Sequence, residues 1–443
     1  MNAILTTTNF QAGQRWQQTQ ITSGELNVIH QVSVYPELRF QPFQGFGGAF
    51  TEASAVCWKG LPPERRQAFL DAYFGSDGLG YTLGRVHMGS CDFSLGNYAC
   101  QSGPGDDGFD TSRDDENLIP MILAAQKTAG SPIRLMLSPW SPPAFMKTNG
   151  DMNHGGSLKP EYRQRWAECM ANYAAHYRAA GCDARLMTVQ NEPAAVQTWD
   201  SCIYSAREEG AFAAQFLAPA LKNADCGDVK ILAWDHNKEL LLRRAAETLA
   251  VPGAGEAVDG FAFHWYTGDH FDAVRLAKNR WPGKELWFSE SCVEYSRFDG
   301  MTPLQKAEMY AHDIMGNLNA GISGSIDWNL LLDAGGGPNH VGNFCEAPVM
   351  LTKDGSGFTL QTEYWYIGQF SRFIRPGAVR LGTSGWTTDF DVTAFENSDG
   401  SRVAVVLNRT DLTLPASITL DEQAGFNFSL APHSIATLQT QTE

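Results

Sequence analysis

Two glutamates that close short apolar runs have the residue type needed for paired acid and nucleophile chemistry. Glu192 lies in the segment Val189–Pro193 (VQNEP), and Glu290 lies in Phe288–Cys292 (FSESC). Cleavage of a glycosidic bond with retention requires two carboxyl groups about 5–5.5 Å apart, one protonated to assist the leaving oxygen and one ionised to attack the anomeric carbon. A negative neighbour at that distance raises the pKa of the first carboxyl. Glycoside cleavage is therefore predicted if the fold brings Glu192 and Glu290 together.

Most acidic side chains at strand ends have a simpler role, because they are solvated or pair with lysine and arginine. Glu294 is the nearest rival nucleophile, but it lies beyond the apolar run and is expected in a loop. Two carboxylates that end two separate strands favour the catalytic interpretation.

The elements that must position these glutamates are predicted to be repeated βα units. From about Phe43 to Arg375, short apolar runs alternate with longer amphipathic segments, which is typical of a TIM (β/α)8 barrel with inserted loops. Glu192 ends the fourth run and Glu290 the seventh, so both are expected at the C-terminal face of the barrel. The eight predicted strands lie within Phe43–Phe50, Leu79–Asp92, Ile133–Trp140, Leu186–Glu192, Val229–Asp235, Val258–Tyr266, Glu285–Ser291 and Gly321–Leu330.

Helices are expected between these strands. In Glu161–Arg178, aromatic and apolar residues recur at three and four residues, with Pro160 before the segment and Gly181 after it as start and stop signals. A second helix is predicted over Pro303–Leu318.

Both ends of the chain are predicted to form a β-sandwich beside the barrel. Alternation in Arg402–Leu407, Ser417–Leu420 and Phe426–Leu430 indicates antiparallel strands, and similar short strands are expected around Glu25–Val34. The predicted domains are residues 1–42 and 376–443 for the sandwich and 43–375 for the catalytic α/β barrel.

Composition excludes several classes of partner. The formal net charge of -16 argues against nucleic acid and anionic membrane surfaces, and no apolar stretch has the length of a transmembrane segment. The nine cysteines show no CxxC spacing, so we predict neither a disulfide framework nor a zinc site. No other metal is predicted, and the predicted hydrolysis needs no cofactor. The N-terminus lacks the features of a signal peptide, so a cytoplasmic protein is expected, with signal-less secretion as the alternative. No obligate protein partner is predicted.

Eight segments in order resemble glycoside hydrolase family 30, in its glucosylceramidase branch, which includes lysosomal glucocerebrosidase and bacterial homologues, some of them secreted effectors. The segments are Phe43–Ser54 (FQGFGGAFTEAS), Ser90–Tyr98 (SCDFSLGNY), Ser138–Leu158 (SPWSPPAFMKTNGDMNHGGSL), VQNEP, Phe263–Tyr266 (FHWY), FSESC, Asp327–Leu332 (DWNLLL) and Gly336–Phe344 (GGPNHVGNF).

The resemblance implies roles for the residues in these segments. It makes Glu192 the catalytic acid/base and Glu290 the nucleophile, and it implies that Asn191 hydrogen-bonds the sugar 2-hydroxyl. Asp92 matches the carboxylate that accepts the distal sugar hydroxyls, which favours exo-action.

Further pocket residues follow from the same resemblance. Trp140 and Trp328 match aromatic walls of the sugar pocket, although a tryptophan is as a rule simply part of the core. The resemblance implies that Tyr266 orients Glu290, and that Arg85 in the second strand lies near the same carboxylate.

Two residues have more open assignments. His264 ends the sixth strand beside the predicted nucleophile, where a satisfied core histidine is the alternative. Asn343 matches an asparagine at the pocket rim, with a loop-structuring role as the alternative.

The loop after the fourth strand, residues 194–209 (AAVQTWDSCIYSAREE), departs from that of the lysosomal enzyme, so its aglycone contacts do not transfer. Trp199 and Tyr204 are predicted either to line a leaving-group site or to pack the loop. The resulting hypothesis is a retaining exo-β-glucosidase acting on glucosylceramide or related β-glucosides. The alternatives are an endo-β-1,6-glucanase and a non-enzymatic glycan- or glycolipid-binding protein.

Overall fold

A closed barrel of parallel strands and a nine-stranded sheet make up the protein in the computed structural model, which describes residues 1–25, 31–421 and 424–440. The strands are β1 (Asn2–Asn9), β2 (Gln14–Thr22), β3 (Gln31–Pro42), β4 (Phe46–Phe50), β5 (Leu83–Met88), β6 (Arg134–Pro139), β7 (Asp183–Thr188), β8 (Lys230–Asn237), β9 (Gly260–His264), β10 (Glu285–Glu290), β11 (Val293–Glu294), β12 (Gly324–Asn329), β13 (Cys345–Glu346), β14 (Val349–Leu351), β15 (Phe358–Leu360), β16 (Val379–Gly385), β17 (Phe390–Glu396), β18 (Arg402–Asn408), β19 (Leu414–Asp421), β20 (Ala424–Leu430) and β21 (Ser434–Thr440).

The helices lie mostly between the barrel strands. They are α1 (Glu52–Gly60), α2 (Pro63–Phe74), α3 (Ile119–Ala129), α4 (Arg163–Ala179), α5 (Ala206–Phe212), α6 (Ala218–Asn223), α7 (Leu241–Leu249), α8 (Ala254–Ala257), α9 (Phe271–Arg280), α10 (Pro303–Ala320) and α11 (Thr362–Ser371). None of the helices in the described part of the chain has the length and apolar character that crossing a bilayer requires.

The barrel confirms the predicted fold class. Its strands close in the order β4-β5-β6-β7-β8-β9-β10-β12, and each overlaps one of the eight predicted segments. Six lie wholly within their segments, whereas β7 begins three residues before its segment and β8 ends two residues after its own. One buried apolar side chain from each of seven strands fills the lumen: Leu83, Met136, Leu186, Leu232, Ala262, Trp287 and Ile326. On the eighth strand, β4, Gly47 approaches β5 so closely that an added Cβ would lie 2.1 Å from the Leu83 carbonyl oxygen. The lumen is therefore a packed core, and the open space lies at the strand ends.

Capping explains where helix α10 begins and ends, and a 3-10 turn explains where α4 begins. Thr302 caps α10 by accepting from the Gln305 backbone N–H, and Gly321 ends the helix with a left-handed φ of 109°. The predicted helix Glu161–Arg178 is present as α4, but Pro160 starts a 3-10 turn, so the α-helix begins at Arg163.

The nine-stranded sheet contains both ends of the chain, with the strand order β2-β1-β21-β18-β17-β16-β3-β19-β20. The prediction of purely antiparallel strands is wrong at one position, because β19 runs parallel to β3. The barrel and several strands of the sheet lie between β3 and β19 in the sequence, so no hairpin connects these two strands. Of the strand predicted around Glu25–Val34, residues 26–30 lie outside the described residues, and β3 contains the remainder from Gln31 onward.

Helix α11 joins the sheet to the barrel. The Gln369 side-chain amide donates to Thr8 Oγ1 at 2.8 Å, and Thr437 Oγ1 donates to the Gln369 carbonyl at 2.6 Å. We propose that the domain boundaries lie where β3 ends, after residue 42, and after residue 375.

Candidate active site

Glu192 and Glu290 lie at the same end of the barrel. Glu290 is the last residue of β10, and Glu192 follows β7 with a left-handed φ of 47°. Such a φ is uncommon for a residue with a side chain and needs support from its surroundings. That support comes from the neighbouring strand, because the Glu192 backbone N–H donates to the Asp235 carbonyl at 3.0 Å.

One ring nitrogen of His264 lies close to both carboxylates and so sets an upper limit on the distance between them. Nδ1 of His264 lies 3.4 Å from Glu192 Oε1 and 3.8 Å from Glu290 Oε1. The two glutamate oxygens can therefore be no farther apart than the sum of these two distances. A separation of about 5–5.5 Å, as in retaining glycosidases, fits within that limit.

Arg85, fully buried on β5, joins three residues from different strands. Its Nη1 donates to Glu290 Oε2 at 2.5 Å, and its Nη2 donates to Asn191 Oδ1 and to Asp235 Oδ2, both at 2.8 Å. A planar guanidinium can make these bonds simultaneously, which fixes the carboxylate of Glu290 and the amide of Asn191 in orientation.

Tyr266 contacts the second oxygen of Glu290. Its hydroxyl donates to Glu290 Oε1 at 2.8 Å and lies 3.3 Å from the Cys292 sulfur. That sulfur is in turn 3.3 Å from the Cys345 sulfur, and both cysteines are buried. Each oxygen of the Glu290 carboxylate therefore has its own donor.

Burial and the neighbouring side chains change the pKa of Glu192 in opposite directions. Burial favours its neutral form, but His236, His264 and Gln197 outweigh burial and lower the pKa of Glu192 to about 2. Burial alone would lower the pKa of His264, yet Glu290, Asp235 and Glu192 raise it to about 9. The pKa of Glu192 thus moves in the direction opposite to that expected from a negative neighbour alone, because two histidines and Gln197 face the same carboxylate.

Asp235 is the carboxylate beneath this arrangement. Burial would raise its pKa, but Arg85, His264 and Ser289 lower it well below the usual range. Ser289 Oγ donates to Asp235 Oδ1 at 2.7 Å, and His264 Nε2 lies 3.1 Å from the same oxygen. Asp235 is therefore a carboxylate shared by Arg85 and His264, which both favour its ionised form.

The glutamates border a pocket of about 150 Å³, smaller than the range of roughly 300–1,000 Å³ typical of drug-sized ligands. Asp92 lies in it, and Asn343 donates to Asp92 Oδ2 at 3.1 Å. Burial, with Glu290 second, raises the pKa of Asp92 well above its usual range. Trp140 and Trp328 stack on each other with ring centroids 5.2 Å apart, and Arg85 lies 4.7 Å from the Trp140 ring centroid.

The structure thus gathers the residues singled out in the sequence. Arg85, Asp92, Trp140, Asn191, Glu192, His264, Tyr266, Glu290, Trp328 and Asn343 all line the pocket or contact a residue that does. Of the two loop aromatics, Trp199 lines the pocket, whereas Tyr204 is buried and packs against Phe212, away from it. The leaving-group interpretation therefore applies to Trp199 alone.

Several pocket residues were not anticipated. His236 and Gln197 contact Glu192, and Asp235 joins Arg85 to His264. Asp235 could have been predicted from the sequence, because it lies at the end of the fifth predicted strand, as Glu192 and Glu290 lie at the ends of the fourth and seventh. Glu294, expected in a loop, belongs to the short strand β11 and also lines the pocket.

A larger cavity of about 450 Å³ lies between α9, α10 and the sheet. His312 lines it, but both its ring nitrogens already face carboxylates, Asp391 at 2.8 Å and Asp269 at 3.1 Å. Because those pairs are satisfied, this cavity offers less for catalysis than the pocket at the strand ends.

Known proteins share both the sequence and the fold of this chain. Residues 43–374 match the sequence model of the glycosyl hydrolase family 30 TIM-barrel domain, and residues 377–438 match that of the family 30 beta sandwich domain. Lysosomal acid glucosylceramidase of Mus musculus is 34% identical over 90% of this chain and 81% of its own length. Endo-1,6-beta-D-glucanase of Neurospora crassa is 28% identical over 84% of this chain and 80% of its own length.

Two solved structures superpose over nearly the whole chain. SrfJ from Salmonella typhimurium is 38% identical with a TM-score of 0.95 and covers 100% of both chains. The endo-beta1,6-glucanase BT3312 is 26% identical with a TM-score of 0.90 over 100% of this chain and 99% of its own. Because the barrel and sandwich models of the family together match nearly the whole chain, the chain belongs to glycosyl hydrolase family 30.

Proposed function

We propose that this protein is a retaining exo-β-glucosidase in which Glu290 attacks the anomeric carbon and Glu192 serves as acid and then base. The observation that carries the proposal is the approach of both carboxylates to one atom, Nδ1 of His264, at the wall of a single pocket. Arg85 and Tyr266 hold Glu290 as an oriented carboxylate, as a nucleophile requires.

Exo-action is supported by the size and lining of the pocket. Asp92 and Asn343 are hydrogen-bonded to each other in its lining, where they can take the hydroxyls of a terminal sugar. The stacked indoles of Trp140 and Trp328 offer apolar surface to a pyranose ring. Glucosylceramide or related β-glucosides are the proposed substrates, in keeping with the similarity to glucosylceramidases.

Exchange of each glutamate separates the two roles. Glu290→Gln is expected to lower turnover of an aryl β-glucoside by several orders of magnitude, because the amide cannot form the glycosyl ester. Glu294→Gln is the matched control, since Glu294 lines the same pocket outside the pair. Near-normal activity of Glu290→Gln, with loss in Glu294→Gln, would overturn the assignment.

Glu192→Ala tests the acid/base role. The variant is expected to keep cleaving substrates with a good leaving group, and to recover turnover with azide by forming a β-glucosyl azide. An α-configured product, read by proton NMR, would contradict a retaining mechanism.

An endo-β-1,6-glucanase is the second candidate, favoured by the similarity to BT3312 over the whole chain. A panel of aryl β-glucoside, vesicle-borne glucosylceramide and β-1,6-glucan distinguishes the two candidates. Release of glucose alone supports exo-action, and early release of oligosaccharides supports endo-action. A glycan-binding protein without activity would cleave none of the three.

A further inference from the structure

His264 has two different neighbours on its two ring nitrogens. Its side chain is fully buried at the end of β9, and Nε2 lies 3.1 Å from Asp235 Oδ1. Nδ1 has no hydrogen-bond partner in the described chain and lies nearest to Glu192 Oε1, at 3.4 Å, with Glu290 Oε1 at 3.8 Å. The ring therefore stands between a buried carboxylate and the two catalytic ones.

The surroundings of His264 favour a cationic ring. The titratable and charged groups that face it are Arg85 from β5, Glu192 from the segment after β7, Asp235 and His236 from β8, Glu290 from β10, and Tyr266 just beyond β9. Three of these are carboxylates, and Arg85 neutralises part of the charge of two of them. The remaining negative charge is compensated by a proton on the imidazole.

We propose that His264 stores the proton that Glu192 delivers to the leaving oxygen, and that it receives that proton back when water releases the sugar. The inference deepens the proposed function and rests on it. His264 acts through Glu192 and is thus a positioning and proton-holding residue that does not itself touch the substrate.

Over one turnover, His264 gives up one proton and regains one. In the first step the Nδ1–H bond of His264 breaks, and the proton passes through Glu192 Oε1 to the leaving oxygen. The bond from C1 to that oxygen breaks, and C1 bonds to Glu290. The imidazole is then neutral and Glu290 is an uncharged ester. In the second step Glu192 takes a proton from water, the hydroxyl oxygen bonds to C1, the ester bond breaks, and the proton returns to Nδ1.

The loss of charge on Glu290 gives this transfer its direction. The charge of Glu290 is the largest single interaction that raises the pKa of His264. Forming the glycosyl ester removes that charge, so the imidazole holds its proton less firmly while the leaving group needs one. Hydrolysis of the ester restores the charge and the proton affinity.

His236 offers a matched comparison. Its Nε2 lies 3.7 Å from Glu192 Oε1, but its Nδ1 has no hydrogen-bond partner in the described chain. Burial lowers the pKa of His236, whereas the surrounding carboxylates raise that of His264. It thus has the proximity to Glu192 without the compensating carboxylate behind it.

The test is the pH profile of kcat/KM for phenyl β-glucoside, whose leaving group needs protonation. The wild type is expected to lose activity near pH 9, where the shared proton is lost. In His264→Gln only Glu192 can hold the proton, so the basic limb should move down by about 2 pH units. Beyond its ratio to wild type at pH 5, the variant should lose about a further tenfold at pH 8 and about 100-fold above pH 10. His312→Gln is the control, because His312 lies in the other cavity beside Asp391 and Asp269, and it should leave the limb in place.

A second substrate excludes a merely structural loss. For 2,4-dinitrophenyl β-glucoside, whose leaving group needs no acid, the profile of His264→Gln should keep the shape of the wild-type profile. An unmoved limb with phenyl glucoside, or an equal shift with both substrates, would overturn the proton store.

Spectroscopy tests the same inference without turnover. In protein labelled with ¹⁵N-histidine, the His264 ring should carry protons on both nitrogens at pH 7. Trapping Glu290 as its 2-fluoroglucosyl ester should lower the pKa of His264. A neutral His264 at pH 7 would refute the store while leaving the catalytic pair intact, whereas full activity of Glu290→Gln would refute the proposed function itself.

Discussion

Replacement of Arg85 by methionine is the sharpest test of how the pocket is held together. Methionine fills much of the same space but leaves Glu290 and Asp235 without their buried cation. Breaking a buried ion pair by removing one partner costs about 3–5 kcal/mol. The lower end applies here, because the Glu290 side chain is 9% exposed and His264 still faces Asp235.

The stability loss converts to a modest change in melting temperature because the chain is long. For 443 residues the entropy of unfolding is about 0.9 kcal/mol/K, so a loss near 3–4 kcal/mol corresponds to a fall in Tm of about 3–5 °C. Differential scanning calorimetry at pH 7 measures it. Arg39→Met is the control, because Arg39 pairs with Glu396 at the surface and its loss should cost below about 1 kcal/mol.

The pH dependence of the loss identifies its cause. The pKa of Asp235 is depressed in the folded protein, so the stability that it contributes is present above its unfolded pKa of about 3.9 and is lost as the pH falls through its folded value. Without Arg85 that pKa rises and this contribution disappears. The difference in Tm between wild type and Arg85→Met should therefore be greatest near pH 7 and shrink below about pH 4. The difference disappears only as the pH approaches the folded pKa of Asp235, so a difference under 1 °C at pH 7, or one that grows as the pH falls from 7 to 3.5, would refute the reasoning.

Three further outcomes are expected. Tyr266→Phe removes a hydrogen bond to a carboxylate, worth about 1.5–3 kcal/mol, and should lower kcat/KM roughly 10- to 150-fold with an unchanged Tm, so an unaltered kcat/KM would contradict the contact with Glu290. Because burial and Glu290 raise the pKa of Asp92, Asp92→Asn should raise KM for an aryl glucoside less than Asp92→Ala does, and the reverse order would argue against that raised pKa. Burial raises the pKa of Cys292 well above the usual thiol value, so iodoacetamide should modify it slowly at pH 7 and faster as the pH rises, as mass spectrometry can follow.

Elements with a strong local pattern were predictable. The eight barrel strands alternate with helices, and each is apolar enough to be recognised because both of its faces are buried in the barrel. Strands β1 and β2 were missed. Strand β2 is mostly exposed and rich in glutamine, so burial imposes no apolar alternation on it, whereas β1 is mostly buried but has threonines at several buried positions. The parallel pairing of β3 with β19 was also beyond reach, because a pairing between distant strands leaves no local trace.

In the pocket, Glu192 and Glu290 could be recognised because each ends an apolar strand, and the C-terminal ends of barrel strands share one face. Motif resemblance supplied the other pocket residues, but neither route identified Asp235 as the partner of both Arg85 and His264. Arg85 and Glu290 are 205 residues apart in the chain, and their contact depends on how the barrel closes and which rotamers its core allows. Residue type and strand position are encoded locally by burial and periodicity, whereas the sharing of protons and charges depends on distances of a few ångströms that exist only once the strands are closed into a ring.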